Sequence, residues 1–110
     1  MSESNIKTPM DILRAVSPEG AKTYMDHKQA IMENPQLQSV PLKYKLLIGI
    51  GVAASLQSST CTLMWVKQAR QAGATDAEIV EAILVSRLMK MATVNDTSAD
   101  ALAWLGAEPK

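Results

Sequence analysis

Cys61 is the one strong nucleophile among the side chains of this sequence, and it is the only cysteine. Ser58, Ser59 and Thr60 come directly before it, and hydroxyl side chains of this kind begin helices by accepting a backbone N–H. The pattern therefore predicts that Cys61 lies in the first turn of a helix spanning about 59–72. Proteins place reactive thiolates at such positions.

Two interpretations of Cys61 follow from its type and position. As a nucleophile it can attack a peroxide and become a sulfenic acid, which a second thiol must then reduce. Because the chain has a single cysteine, that second thiol has to come from outside. The other interpretation is a small buried hydrophobic residue, a common role for a lone helical cysteine.

Trp65 follows Cys61 by one helical turn, and Ala69 and Gly73 continue the four-residue spacing. Residues spaced in this way share one helix face, and Gly73 is well suited to end the helix. Large aromatic residues usually fill cores and interfaces. We therefore expect Trp65 to pack inside the protein, with the wall of an apolar pocket as the alternative.

The other polar residues give weaker signals. His27 is the only histidine, and without a second histidine or cysteine nearby it is expected at the surface rather than on a metal. Lys43, Lys45 and Lys67 are expected on solvated helix faces, with positive charge beside a pocket as the alternative. The methionines are interpreted as adaptable packing residues. We expect no metal and no cofactor.

Composition limits the classes of partner and location. The 110 residues include 11 basic and 11 acidic side chains, a net charge of zero, so no strong field attracts nucleic acid or an anionic membrane. The N-terminus lacks the basic and apolar regions of a signal peptide, and a single cysteine fits a reducing compartment. We expect a cytoplasmic protein that binds neither nucleic acid nor membrane.

Helical periodicity and cap signals predict an all-α domain over residues 1–110, with residues 1–7 flexible. Thr75 and Glu78 have the spacing of a capping box, and the run from Asn95 to Ser98 predicts a turn or a new cap. Short links favour antiparallel helix hairpins. The predicted helices span about 9–16, 18–33, 41–57, 59–72, 76–91 and 97–105.

The third predicted helix has no polar stripe between Leu46 and Leu56. A helix that is apolar all round is buried all round, yet it is too short to span a membrane. In so small a domain, complete burial implies that some of its faces meet another subunit. The sequence therefore predicts a homo-oligomer.

The segment from Cys61 to Ala82, CTLMWVKQARQAGATDAEIVEA, resembles the carboxymuconolactone decarboxylase and alkyl hydroperoxidase D family over about residues 41–105. In that family a helix carries Cys-x-x-Cys-x-x-x-His, and a Gly-[Ala/Ser]-[Ser/Thr]-x-x-Glu-Ile turn leads into the next helix. The resemblance implies an all-α fold of five to six helices and assembly into trimers or hexamers.

The resemblance also assigns site positions one by one. The two cysteines of the family fall on Ser58 and Cys61, the histidine on Trp65, the glutamate of the preceding helix on Leu46, and a late histidine near Thr97. Only the Cys61 position keeps its residue type, so the thiol remains without its resolving partner or proton relay.

Two functions remain open at this point. In the first, Cys61 alone reacts with a peroxide or thiol and an external reductant completes the cycle. In the second, the chain is a non-catalytic oligomeric scaffold or binds a small ligand. Lactone or decarboxylase chemistry, implied by the other branch of the family, is a weaker option because no general acid or base can be named for it.

Overall fold

The computed structural model describes residues 8–107, so the predicted flexibility of residues 1–7 lies outside the described part of the chain. This part of the chain forms α-helices with no strand, which confirms the all-α prediction. The helices are α1 (Pro9–Val16), α2 (Pro18–Met32), α3 (Leu42–Ser55), α4 (Ser59–Gln71) and α5 (Asp76–Ala107).

The chain divides into two compact units, Met1–Val40 and Pro41–Lys110. That residues 1–110 form one domain therefore stays a prediction. In the first unit α1 packs on α2, and Ala21 and Met32 are buried. In the second unit α3 packs against both α4 and α5.

The helix starts follow the cap signals of the sequence. The Thr8 hydroxyl accepts a hydrogen bond from the backbone N–H of Asp11, and the Thr8 N–H donates to the Asp11 carboxylate, so α1 begins with a capping box. Ser17 caps α2 by accepting from the backbone N–H of Gly20. Side-chain caps of this kind each contribute about 1 kcal/mol to helix stability.

Two similar turns connect α3 to α4 and α4 to α5. Gln57 at the end of α3 and Gly73 at the end of α4 both adopt positive φ, 62° and 96°. After α3, the N–H of Ser58 bonds to the carbonyl of Ala53. This bond is characteristic of a Schellman motif, which normally carries glycine at the positive-φ position. Gln57 is thus a strained but well-bonded exception.

The predicted turn from Asn95 to Ser98 is wrong. The two predicted helices of about 76–91 and 97–105 are instead one continuous helix, α5. The sequence holds neither glycine nor proline between 76 and 105, and polar residues cost a helix interior only about 0.5 kcal/mol each. The Thr93 hydroxyl also bonds within the helix, to the carbonyl of Lys90 at 2.6 Å.

Helix α3 is buried on one side only within the single chain. Leu46 and Ile50 are 3% and 0% exposed, whereas Ile48 and Val52 are 59% and 53% exposed. The reason is that α3 has only α4 and α5 as major neighbours. Within the second unit, neither α4 nor α5 covers its remaining apolar surface.

Candidate functional site

Cys61 lies in the first turn of α4 and is exposed. Its backbone N–H donates to the Ser58 hydroxyl oxygen at 3.3 Å, so Ser58 caps the helix as the sequence predicts. The Thr62 hydroxyl donates to the Ser58 carbonyl at 2.7 Å. These bonds fix the turn that presents the thiol, and the interpretation of Cys61 as a buried hydrophobic residue does not hold in this chain.

The turn before Cys61 forms one side of an open groove of about 420 Å³. Cys61 is not among the residues that line it, because its side chain projects from a different face of α4. The lining residues come from the end of α3 and the start of α4: Ala54, Gln57, Ser58, Ser59, Thr62, Leu63 and Val66.

Trp65 packs against α3. A methyl group at Gly49 would overlap the Trp65 indole ring, which means that the ring rests on the α3 backbone itself. Glycine is required at this crossing because any larger side chain would push the two helices apart. Trp65 is half-buried and serves as the contact between α3 and α4.

Leu46 lies on the buried side of α3 and is 3% exposed. A carboxylate in its place would be buried at high cost unless it were paired. Leu46 and Trp65 thus occupy apolar, packed positions in the hairpin, and neither can transfer a proton to or from Cys61.

The sole histidine, His27, is exposed on α2, in the other unit of the chain. Between residues 8 and 107, no three or more His, Cys, Asp or Glu side chains group as they would to hold a metal ion. None of the helices in this range is long and apolar enough to cross a membrane.

An ion pair between Lys43 and Glu78 was not foreseen from the sequence. The Lys43 ammonium lies 3.2 Å from a Glu78 carboxylate oxygen, with both side chains half-buried. The other Glu78 oxygen accepts from the backbone N–H of Thr75 at 2.8 Å, and the Thr75 hydroxyl accepts from the N–H of Glu78. Glu78 therefore completes the predicted capping box and also joins the start of α5 to the start of α3.

These hydrogen bonds shift the pKa values of both Glu78 and Lys43. The backbone hydrogen bond from Thr75, followed by the bond from Lys43, lowers the pKa of Glu78. The hydrogen bond to Glu78 raises the pKa of Lys43. Because the partners are 35 residues apart, no local spacing in the sequence predicts the pair.

The fold and site define an all-α protein with a helix hairpin, a cysteine in the first turn of the second hairpin helix and a capped turn into a long third helix. Residues 18–105 match the model of the carboxymuconolactone decarboxylase family. The chain belongs to this family. No curated protein and no solved structure gives a significant match.

Proposed function

We propose that this protein is a divergent carboxymuconolactone decarboxylase family member of the alkyl hydroperoxidase D type, which reduces peroxides through Cys61 alone. The observation that carries the proposal is the exposure of Cys61 in the first turn of α4. A thiol there is open to a small peroxide and to a second thiol.

The cycle uses three steps. The Cys61 thiolate attacks one oxygen of the peroxide bond, which breaks to give the Cys61 sulfenic acid and an alcohol or water. An external thiol then condenses with the sulfenic acid, releasing water and forming a mixed disulfide. A second external thiol attacks that disulfide, regenerates the Cys61 thiol and leaves as the oxidised reductant.

The external reductant is required because the chain holds no second sulfhydryl. Ser58, which the resemblance aligns with the missing cysteine, has its hydroxyl engaged in capping α4. A free exposed thiol of this kind belongs in a reducing compartment such as the cytoplasm, where small thiols are available as co-substrates.

A second candidate function is a non-catalytic oligomeric scaffold or small-ligand binder. It rests on an open apolar groove of about 550 Å³ between α3 and α5, lined by residues such as Leu47, Val52 and Met89. Grooves that are mostly apolar bind small ligands or other chains. In this alternative Cys61 would be dispensable.

The two candidates are separated by measuring peroxide consumption with dithiothreitol as reductant. We expect Cys61→Ser to reduce consumption to the uncatalysed rate, while Ser59→Ala, a matched change two residues away, leaves it unchanged. Equal consumption by the wild-type protein and Cys61→Ser would remove the peroxidase proposal. In that case an unchanged assembly mass and ligand binding in Cys61→Ser would favour the scaffold.

A further inference from the structure

The second half of α5 is an exposed helix with a strongly apolar composition. From Arg87 to Ala107, every described side chain except that of Ser98 is exposed. Large apolar residues are frequent in this segment. Monomeric proteins rarely leave such a surface free.

Six residues form one stripe along this helix, here named the α5 stripe. They follow one another in alternating steps of three and four residues, the spacing by which two helices pack side by side. Its four apolar members are each between 55% and 61% exposed. The stripe consists of Leu88, Met91, Asn95, Ser98, Leu102 and Leu105.

The α5 stripe does not face α3. The side of α5 that meets α3 carries Ile79, which is buried, Ser86, whose hydroxyl would touch a methyl group added at Gly51, and Lys90, which donates to the Ser55 carbonyl at 3.2 Å. At about 100° per residue, the stripe lies roughly 140° around the helix from that side. It is free to contact another molecule.

The order of residue types in the α5 stripe reads the same from either end: two apolar, two polar, two apolar. We propose that a second copy of this chain packs antiparallel on it. Leu88 would then face the partner's Leu105, Met91 the partner's Leu102, and Asn95 the partner's Ser98. Such a contact is self-complementary under a twofold axis, and the amide of Asn95 can bond to the hydroxyl opposite.

Most neighbours of the stripe are small and neutral, which suits a close approach. Ala92, Ala99 and Ala101 flank the stripe and Arg87 lies beside its first residue, whereas Asp96 and Asp100 point to the other side of the helix. In the antiparallel arrangement Asp96 lies opposite the partner's Thr97, and its carboxylate points away from the contact, while the helix dipoles oppose one another favourably. The zero net charge of the chain adds no repulsion between copies.

The size of the contact is sufficient. Six exposed apolar residues on or beside the stripe, among them Leu84 and Val94, offer on the order of 300 Å² of apolar side chain per copy. With the usual polar share of an interface, the pair buries roughly 1,000 Å² in total, the lower limit for a specific contact.

The test uses single-cysteine variants in a Cys61→Ser background, so that its outcome is independent of the proposed chemistry. We expect a mixture of Leu88→Cys and Leu105→Cys to form disulfide-linked dimers on mild oxidation, because the antiparallel order places these positions together. Leu88→Cys alone should remain unlinked, since its partner copy lies about 25 Å away along the helix. Efficient linking of Leu88→Cys to itself, or no linking in any sample, overturns the proposal.

Sedimentation provides the second readout. Leu102→Lys should lower the mass of the assembly, whereas Trp104→Lys, similarly exposed at 62% but off the stripe, should not. Circular dichroism confirms that both variants keep their helices. A monomeric wild-type protein at micromolar concentration, or equal loss of assembly in both variants, contradicts the α5 stripe as an interface.

Discussion

At the scale of single residues, the contact between Gly49 and Trp65 controls how closely α3 and α4 approach. Gly49→Ala would place a methyl group inside the indole ring of Trp65, so the helices must move apart. We expect a loss of about 1–3 kcal/mol in the free energy of unfolding, the usual effect of overpacking.

Urea denaturation measures this loss. The matched control is Gly106→Ala, because a methyl group at Gly106 meets nothing within 4 Å and should change stability by less than about 0.5 kcal/mol. Equal stability of Gly49→Ala and the wild-type protein would show that α3 and α4 do not meet at this glycine.

Ser58 allows the missing second thiol to be restored. Ser58→Cys places a sulfhydryl three residues before Cys61, where it can condense with the sulfenic acid of Cys61 to an internal disulfide. We expect one equivalent of hydrogen peroxide to remove both free thiols, observed by thiol titration and intact mass.

The change at Ser58 also removes a helix cap, which costs about 1 kcal/mol. Ser58→Ala separates that loss from the chemistry, because it removes the cap without adding a thiol. Persistence of a Cys61 sulfenic acid in Ser58→Cys would contradict the assignment of position 58 as the resolving site.

The sequence could indicate the Cys61 turn but not its surroundings. Hydroxyl residues before Cys61 are a local signal for a helix start, and Ser58 does cap α4. The Trp65–Gly49 contact and the Lys43–Glu78 pair join residues far apart in the chain. Such contacts depend on how the helices pack, and no spacing within one segment encodes them.

At the scale of the elements, the continuity of α5 is the main departure from the sequence prediction. Thr97→Pro tests it, since proline removes a backbone hydrogen bond and clashes with the preceding turn. We expect a clear loss of helical signal by far-ultraviolet circular dichroism, with Thr97→Ala as the control that keeps it. An unchanged spectrum for Thr97→Pro would contradict a continuous α5 and support the predicted turn between Asn95 and Ser98.

The Lys43–Glu78 pair links the starts of α3 and α5 and should make stability depend on pH. The lowered pKa of Glu78 means that its contribution is present above the ordinary value of 4.5 and is lost as the pH falls through the folded pKa. The raised pKa of Lys43 means that its contribution is present below 10.5 and is lost as the pH rises through the folded pKa.

Glu78→Gln should therefore lower the melting temperature at pH 7 and weaken the decline on acidification. Asp26→Asn is the control, because it breaks an exposed ion pair with Lys22 that contributes little. Thermal melts between pH 3 and pH 7 measure the melting temperature of each variant and its decline on acidification. Parallel pH profiles for Glu78→Gln and the wild-type protein would contradict a stabilising role for the pair.

At the scale of the whole molecule, the helical class could be predicted from periodicity and caps, but the six predicted helices are five in residues 8–107 because α5 is continuous. The boundary at residues 95–98 could not, because polar residues cap helices and also occur within them, and only packing or its absence distinguishes the two. The apolar surfaces of α3 and α5 are a second case: their residue types indicate burial, and for the α5 stripe we propose a second copy of the chain as the partner.

The central claim is that Cys61 reacts with peroxide in the folded protein. It is tested most directly by exposing the native protein to hydrogen peroxide, trapping sulfenic acid with a dimedone probe and locating the label by mass spectrometry. We predict a label on Cys61 in the native state that added thiol prevents. Labelling only after denaturation, or no labelling of Cys61 at all, would contradict the account.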